Sequence, residues 1–311
     1  MLDLPTSGFA RSVTKHNVKL VAVCDWVEAS VLFGDRDVSQ TDVVDVLQEN
    51  NIYDDQDSAR EMLADAWIEM RHRSESLGDG SPFDVQTGRV VQSKKWRIVT
   101  AYSFCLMLAI RQWYPGWAKM HFDVNYTVQG SLFEEITDEC LTRLGWSTFR
   151  TGWSPDTPEN IRQVVADVAE YINEREIPGG LDRWISSNAN DEGLDVVCTD
   201  PFYDGLGGYP IFFLQCASGL NWPSKLHTPD PCVWSKVIDF TTTPQRGFAM
   251  PFALDEAEFR QYAGRVKGMM LDRFRLSSPA YDGEIGWVSS PLRRRLLAWL
   301  TPKVKKLPFS S

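Results

Sequence analysis

The sequence predicts a mixed α/β protein, with a mainly helical first third followed by a segment in which helices and strands alternate. Three observations carry this. The first third is mostly of helical spacing, and Leu194 to Cys198 and Ile211 to Cys216 are short apolar runs between Gly- and Pro-containing turns. Tyr114-Pro115-Gly116 separates the two regimes. A chain of 311 residues is long enough for two domains.

Taken in order, Val18 to Phe33 is apolar with helical spacing. Ser39 followed by Asp42 forms a helix-start pattern ahead of Val43, Val44 and Leu47. Ser58 to Arg73 places Met62, Ala66 and Met70 on one face. The segment from Leu77 to Pro82 breaks the pattern, and Phe83 to Trp96, centred on Thr87-Gly88, reads as a short hairpin. Thr100 to Trp113 reads as a buried helix. Helices followed by a hairpin suggest a winged-helix-like domain over 1–120; a helical accessory domain is the other reading.

Ser131 to Leu144 is an amphipathic helix closed by Gly145. Thr157 to Asn173 is another, with Thr157 as N-cap and Glu159 in the first turn. Leu194 to Cys198 and Ile211 to Cys216 read as buried strands. Val237 to Thr242 and Lys267 to Phe274 are weaker strand patterns, with a helix from Asp255 to Ala263 between them. Pro291 to Leu300 closes the chain as a helix before a basic tail. A second domain is therefore expected over 121–280, with 281–311 as an appended helix and tail.

Broadly apolar residues make up 43% of the chain and twelve residues are Trp, which supports a sizeable core and excludes a disordered or fibrous protein. Cys24, Cys105, Cys140, Cys198, Cys216 and Cys232 lie far apart with no CxxC pair, so reduced thiols are expected rather than a disulfide frame or zinc site. His16, His72, His121 and His227 show no metal-binding spacing. The amino terminus lacks the basic start and apolar run of a secretory signal. Apolar stretches such as Phe104 to Ile110 fall short of the roughly 20 residues a membrane span needs. The expectation is a soluble cytoplasmic protein with no membrane partner. There is no Gly-x-Ser-x-Gly, and Gly205 to Gly208 reads as a hairpin turn rather than a phosphate loop.

The formal charge of −10 divides into −4 over 1–120, −12 over 121–240 and +6 over 241–311. The total argues against strong non-specific binding of nucleic acid, while the basic last third leaves a surface for phosphate.

Three pieces in order carry the chemistry: Phe133-Glu134-Glu135 near a helix start, Gly193-Leu194-Asp195 on one strand, and Leu214-Gln215-Cys216-Ala217 at the end of the next. This resembles the PD-(D/E)XK restriction-endonuclease-like family, particularly its Mrr-like branch. There a helix reading F-E…L…G-[YW] precedes G-x-D-[VI]-V on one strand and [EQ]-[CV]-K on the next. The matching segments are FEEITDECLTRLGW, EGLDVV and FFLQCASG. The resemblance spans about 121 to 275 and implies a central mixed sheet flanked by helices, cleaving DNA with Mg²⁺ or Mn²⁺. Such an ion needs oxygen ligands beside the scissile phosphate. Asp195 would be the central ligand, joined by the Gln215 side-chain oxygen, the Cys216 carbonyl, and Glu134 directly or through water. The Lys that ends the motif is Ala217 here. Lys225 is the first candidate to replace it and Lys236 the second, since they are the only basic residues between Arg183 and Arg246. Asp200 and Asp204 could support the ligands, although a solvated loop is the preferred reading.

Asp272-Arg273-Phe274-Arg275 alternates, so a strand there would place both arginines on one face. Together with Arg293, Arg294, Arg295, Lys303, Lys305 and Lys306, they are the expected contacts to nucleic-acid phosphate; pairing with the acidic middle third, or a solvated tail, is the alternative. Trp184, Trp222, Trp234 and Trp287 could stack on bases or be buried. The resemblance implies a metal-dependent DNA endonuclease, the effector of a bacterial defence or DNA-processing system, with DNA, a partner subunit and a second copy as partners. RNA as substrate stays open. The alternative is a domain that has lost catalysis and acts as a DNA- or protein-binding scaffold, for which Ala217 is the evidence.

Overall fold

The computed structural model describes residues 1–11, 17–34, 36–123, 125–151, 161–184 and 192–309. The chain is mixed α/β and divides into two compact units. One comprises residues 1–126, 251–255 and 273–311, the other 127–250 and 256–272. Among the described residues no helix is long and apolar enough to cross a membrane.

In the first unit, α1 (Leu20–Gly34) is buried from Ala22 to Phe33. After β1 (Val38–Ser39), α2 (Gln40–Glu49) begins with a reciprocal cap. The Asp42 N–H donates to Ser39 Oγ at 3.1 Å and the Ser39 N–H to Asp42 Oδ2 at 2.9 Å. Asp55 caps α3 (Gln56–Leu77), which buries Met62, Ala66 and Met70 as the spacing predicts. The helix stops at Gly78, where φ is 52°. β2 (Phe83–Val85) and β3 (Arg89–Gln92) form the expected hairpin, and β1 joins it in an antiparallel sheet of order β1-β3-β2. Every residue of α4 (Thr100–Ile110) is buried; α5 (Pro115–His121) follows, with Pro at its first position.

The second unit runs through α6 (Thr127–Arg143), β4 (Ser147–Arg150), α7 (Ile161–Tyr171), β5 (Arg175–Glu176), α8 (Gly180–Trp184), β6 (Val196–Thr199), β7 (Ile211–Cys216), α9 (Pro231–Trp234), β8 (Ile238–Asp239), β9 (Gln245–Ala249), α10 (Glu256–Val266) and β10 (Met269–Leu271). Five strands form a mixed sheet in the order β10-β9-β7-β6-β4. β4, β6 and β7 pair antiparallel, whereas β7, β9 and β10 run parallel. Val164, Val165 and Val168 of α7 share a core with Val197, Ile211, Phe213, Trp234 and Val237. α6 packs against β4, β6 and β7. Because β6 and β7 are antiparallel, the start of one and the end of the other lie at the same end of the sheet.

Several expectations are corrected. The closing helix, α11 (Ser290–Val304), is not an appendage: it packs on α4 in the first unit, with the Phe104 and Trp299 rings 4.7 Å apart. The Asp3 N–H donates to the Pro308 carbonyl at 2.8 Å, so both ends of the chain belong to that unit. The boundary near 280 is therefore wrong, since residues 273–311 share the first unit's core. β8 pairs with β5 in a separate two-stranded ribbon rather than joining the main sheet. β9 was not expected. Its Gly247 packs where a Cβ would lie 2.4 Å from Leu214 Cγ, so the strand has no apolar side chain at its centre to betray it. Thr157 and Glu159 lie outside the described residues.

The expected strand over Lys267–Phe274 ends at Leu271, and Arg273 does not join Arg275 on an outer face. Arg273 is fully buried in an ion cluster at the centre of the first unit. One of its amino groups lies 2.7 Å from Asp25 Oδ1 and 2.9 Å from Glu28 Oε2, both on α1. Arg73 of α3 sits 3.2 Å from each of these residues and 2.8 Å from Glu69. Tyr102 donates to Glu28 at 2.9 Å and Trp113 Nε1 to Asp25 at 3.1 Å. Burial disfavours ionising Asp25, but the charges of Arg273 and Arg73 outweigh it and hold the carboxyl below its ordinary range. Arg273 thus has no access to phosphate; its charge answers buried acids.

Candidate active site at the end of the mixed sheet

The chain enters β6 through Glu192 and Gly193, with φ of 48° and 75°. A Cβ on Gly193 would lie 2.8 Å from Gln215 Oε1 and 2.8 Å from Thr228 Cβ, so the glycine of Gly193-Leu194-Asp195 serves close approach as well as backbone freedom. Asp195 is then clamped by its own backbone. Its N–H donates to the Leu214 carbonyl at 2.9 Å, and its carbonyl accepts from the Thr151 N–H at 3.1 Å.

Its side chain meets the end of β7. Gln215 Nε2 and the Cys216 backbone N–H both donate to Asp195 Oδ2 at 2.5 Å. On its other side Gln215 Oε1 accepts from the Thr228 hydroxyl at 3.0 Å. That hydroxyl also lies 2.8 Å from the Lys225 carbonyl. The loop after β7 therefore folds back onto Gln215, anchored by the buried Trp222 against Phe248 and Tyr262. Gln129 of α6 secures the same turn, donating to the Ser218 carbonyl at 3.0 Å.

Glu134 and Glu135 project from α6 toward Arg150, the last residue of β4. The guanidinium lies 3.8 Å from Glu134 Oε2 and 3.4 Å from Glu135 Oε1. Arg150 faces Val196 across the β4–β6 register, one residue beyond Asp195. Burial, followed by the charges of Asp195 and Glu134, pushes the Cys216 thiol well above its usual range. The thiol is therefore neutral and a poor ligand; only its backbone can serve the site.

The structure thus brings together Asp195, Gln215, Cys216 and Glu134 and returns the Lys225 backbone beside them. Lys225 itself is half-buried and forms no ion pair among the described residues. Lys236 is engaged elsewhere, its ammonium 5.0 Å from the centre of the exposed Trp184 ring. Among the described residues no group of three His, Cys, Asp or Glu side chains is placed to hold a metal ion. The donors at the sheet end are instead two carboxylates, an amide and backbone, all hard oxygens once the thiol is neutral.

The expected phosphate contacts belong to the first unit. Arg275 and Arg294 are exposed, Arg295 is exposed, and Arg293 donates to the Arg97 carbonyl at 3.0 Å, all within the first unit. Lys303 is buried with its ammonium 3.9 Å from the Trp299 ring, so it leaves the expected basic patch. Trp222, Trp234 and Trp287 are buried, leaving Trp184 as the exposed member of the four. Sequence reading missed Arg150, Thr228 and Gln129. Arg150 alone carried a signal, being the only basic residue between Arg143 and Arg162. Comparison with family models, curated proteins and solved structures gave no match to this chain.

Proposed function

We propose that the second unit is a metal-dependent DNA endonuclease of restriction-endonuclease-like type, binding Mg²⁺ or Mn²⁺. The observation that carries this reading is the junction at Asp195 Oδ2, where a carboxylate, the Gln215 amide and the Cys216 backbone from two adjacent strand ends meet, with Glu134 on the flanking helix. The helix–strand–strand order of the motif is kept by α6, β6 and β7, and the mixed sheet with flanking helices supports it.

The donor set fits a hard divalent cation. Asp195, Glu134 and Glu135 against Arg150 leave two formal negative charges, which a dication would balance. Asp195, Gln215 Oε1, the Cys216 carbonyl and Glu134 would hold it. Turning the Gln215 amide over would let Nε2 donate to Thr228 Oγ1 and exchange the hydrogen bond to Asp195 for an Oε1 that shares the cation with the Asp195 carboxylate. The bound ion would lower the pKa of water and neutralise charge growing on the phosphate oxygens. Lys225 belongs to the loop whose backbone Thr228 ties to Gln215, and in this reading its ammonium would orient the attacking water.

The first unit serves recognition in this reading. Its order of helix, strand, two helices and hairpin, with sheet order β1-β3-β2, supports a winged-helix-like module. The exposed side of α3 carries Asp57, Arg60, Glu61, His72 and Glu75, more acid than base, which favours a partner subunit over DNA phosphate. A role as the effector of a bacterial defence or DNA-processing system rests on the family resemblance. Plasmid DNA incubated with Mg²⁺ or Mn²⁺ is cut by the wild type and left intact by Asp195→Ala, whose circular dichroism is unchanged; undiminished cutting by that variant refutes the assignment.

A second reading, a catalytically inactive DNA- or protein-binding scaffold, is favoured by Ala217 in place of the motif Lys. It expects no cleavage under any metal tried, with DNA or a protein partner bound by the folded chain.

A further inference from the structure

The sheet end carries a cation that the motif does not supply. Ala217 stands where the family pattern has Lys, while Arg150 brings a guanidinium to the two carboxylates of α6. Its position is held by backbone: Arg150 pairs with Val196 in the β4–β6 register, and the next residue, Thr151, donates to the Asp195 carbonyl. Its contacts are loose. The separations of 3.8 and 3.4 Å exceed the roughly 2.7–2.9 Å of a charge-assisted hydrogen bond. Arg150 Nε is buried and has no hydrogen-bond partner. A buried N–H without an acceptor is costly, so the guanidinium gains by turning toward an anionic oxygen that offers it one.

Building on the nuclease reading, we propose that Arg150 is the phosphate-binding residue of this site, its guanidinium taking the non-bridging oxygens of the scissile phosphodiester where the family uses the motif Lys. The fork of N–H donors suits two oxygens of one phosphate, which a single ammonium contacts only as a point charge. A guanidinium keeps its proton at any working pH, so Arg150 holds and neutralises phosphate but abstracts nothing from water. Glu134 and Glu135 hold the guanidinium until phosphate arrives, and binding exchanges one anionic partner for another without a change in protonation. A divalent cation drawing on Glu134 would loosen the same pair, coupling metal to phosphate binding.

The test measures affinity apart from cleavage. A short fluorescein-labelled DNA duplex is titrated with the full chain in Ca²⁺ and followed by anisotropy, for wild type, Arg150→Gln, Arg150→Lys and the control Arg260→Gln. Arg260 is an exposed residue of α10 paired with Glu256, so its loss reports a general charge effect. Arg150→Gln weakens binding about tenfold or more, Arg150→Lys falls between, and Arg260→Gln stays within about twofold. Equal losses for Arg150→Gln and Arg260→Gln, or no loss, overturn the proposal. Should Arg150→Gln melt early, Glu135→Gln decides: it frees the guanidinium from one competitor and tightens duplex binding about threefold, and unchanged affinity overturns the proposal. Plasmid cleavage is read separately. If the wild type cuts and folded Arg150→Gln cuts equally fast, Arg150 is wrong and the nuclease reading stands. If the wild type does not cut, the nuclease reading falls and the affinity ratio still decides Arg150.

Discussion

Arg273→Met is the sharpest test of how the first unit is built. The wild-type guanidinium is fully buried, 2.7 Å from Asp25 and 2.9 Å from Glu28, with Arg73 completing the cluster. Three acids, Asp25, Glu28 and Glu69, already face two arginines. Removing Arg273 leaves them against Arg73 alone, so a buried excess of one negative charge becomes two. Breaking a buried pair by deleting one partner costs about 3–5 kcal/mol. The lower end applies, because Arg273 Nε and Nη1 already lack acceptors and their desolvation cost vanishes with the side chain. A loss near 3 kcal/mol is a large share of a domain stability of about 5–15 kcal/mol. With a urea slope of about 1–3 kcal/mol/M it moves the midpoint by about 1–3 M, read from the fluorescence of the buried Trp26 and Trp67. Adding Asp25→Asn to Arg273→Met should cost less than the two single losses summed, since the double variant removes charges of both signs. Asp25 also fixes the acid limb. Its folded pKa lies below the ordinary 3.8, so its contribution is whole above that value and is lost as pH falls through the lower folded one. Arg273→Met removes much of that dependence. A midpoint within about 0.3 M of wild type would show the cluster to be energetically neutral and refute the reasoning.

Other outcomes follow from local geometry. Gly247→Ala drives a Cβ to within 2.4 Å of Leu214 Cγ at the β7–β9 pairing and should cost about 1–3 kcal/mol in urea unfolding, whereas Gly264→Ala, with open space around it, should cost nothing. Ser39→Ala removes one half of the α2 cap and should cost about 1 kcal/mol, with Asp42→Ala costing a similar amount and the double variant less than their sum. Five of the six thiols are buried and Cys232 is exposed, so a thiol reagent at neutral pH should modify Cys232 rapidly and the other five only after denaturation. Rapid native reaction of Cys216, whose thiol is held well above its usual range, would contradict the placement of the Asp195 cluster around it.

The elements that were legible are those whose signals are local. The Ser39–Asp42 cap, the buried face of Met62, Ala66 and Met70, and the Thr87-Gly88 hairpin depend on residues a few positions apart, and each forms as read. The meeting of Asp195 with Gln215 agrees with what the family resemblance implied for the ends of these two strands. β4 and β9 were not legible. Ser147–Arg150 has no apolar run, and the strand around Gly247 is defined by what it fits beside rather than by its own side chains.

The sequence by itself determined the main helices, the hairpin and the two-regime layout, since propensity, capping and periodicity act within one or two turns of chain. Only the tertiary structure decided where charge goes. Arg273, read as a hand for phosphate, is spent on Asp25 and Glu28, 248 and 245 residues away, while Arg150 takes a place beside the strand ends. The physical reason is that a charge is exposed or buried according to what distant segments pack around it, and α11, folding onto α4 in the unit where the chain begins, belongs to the core for the same reason.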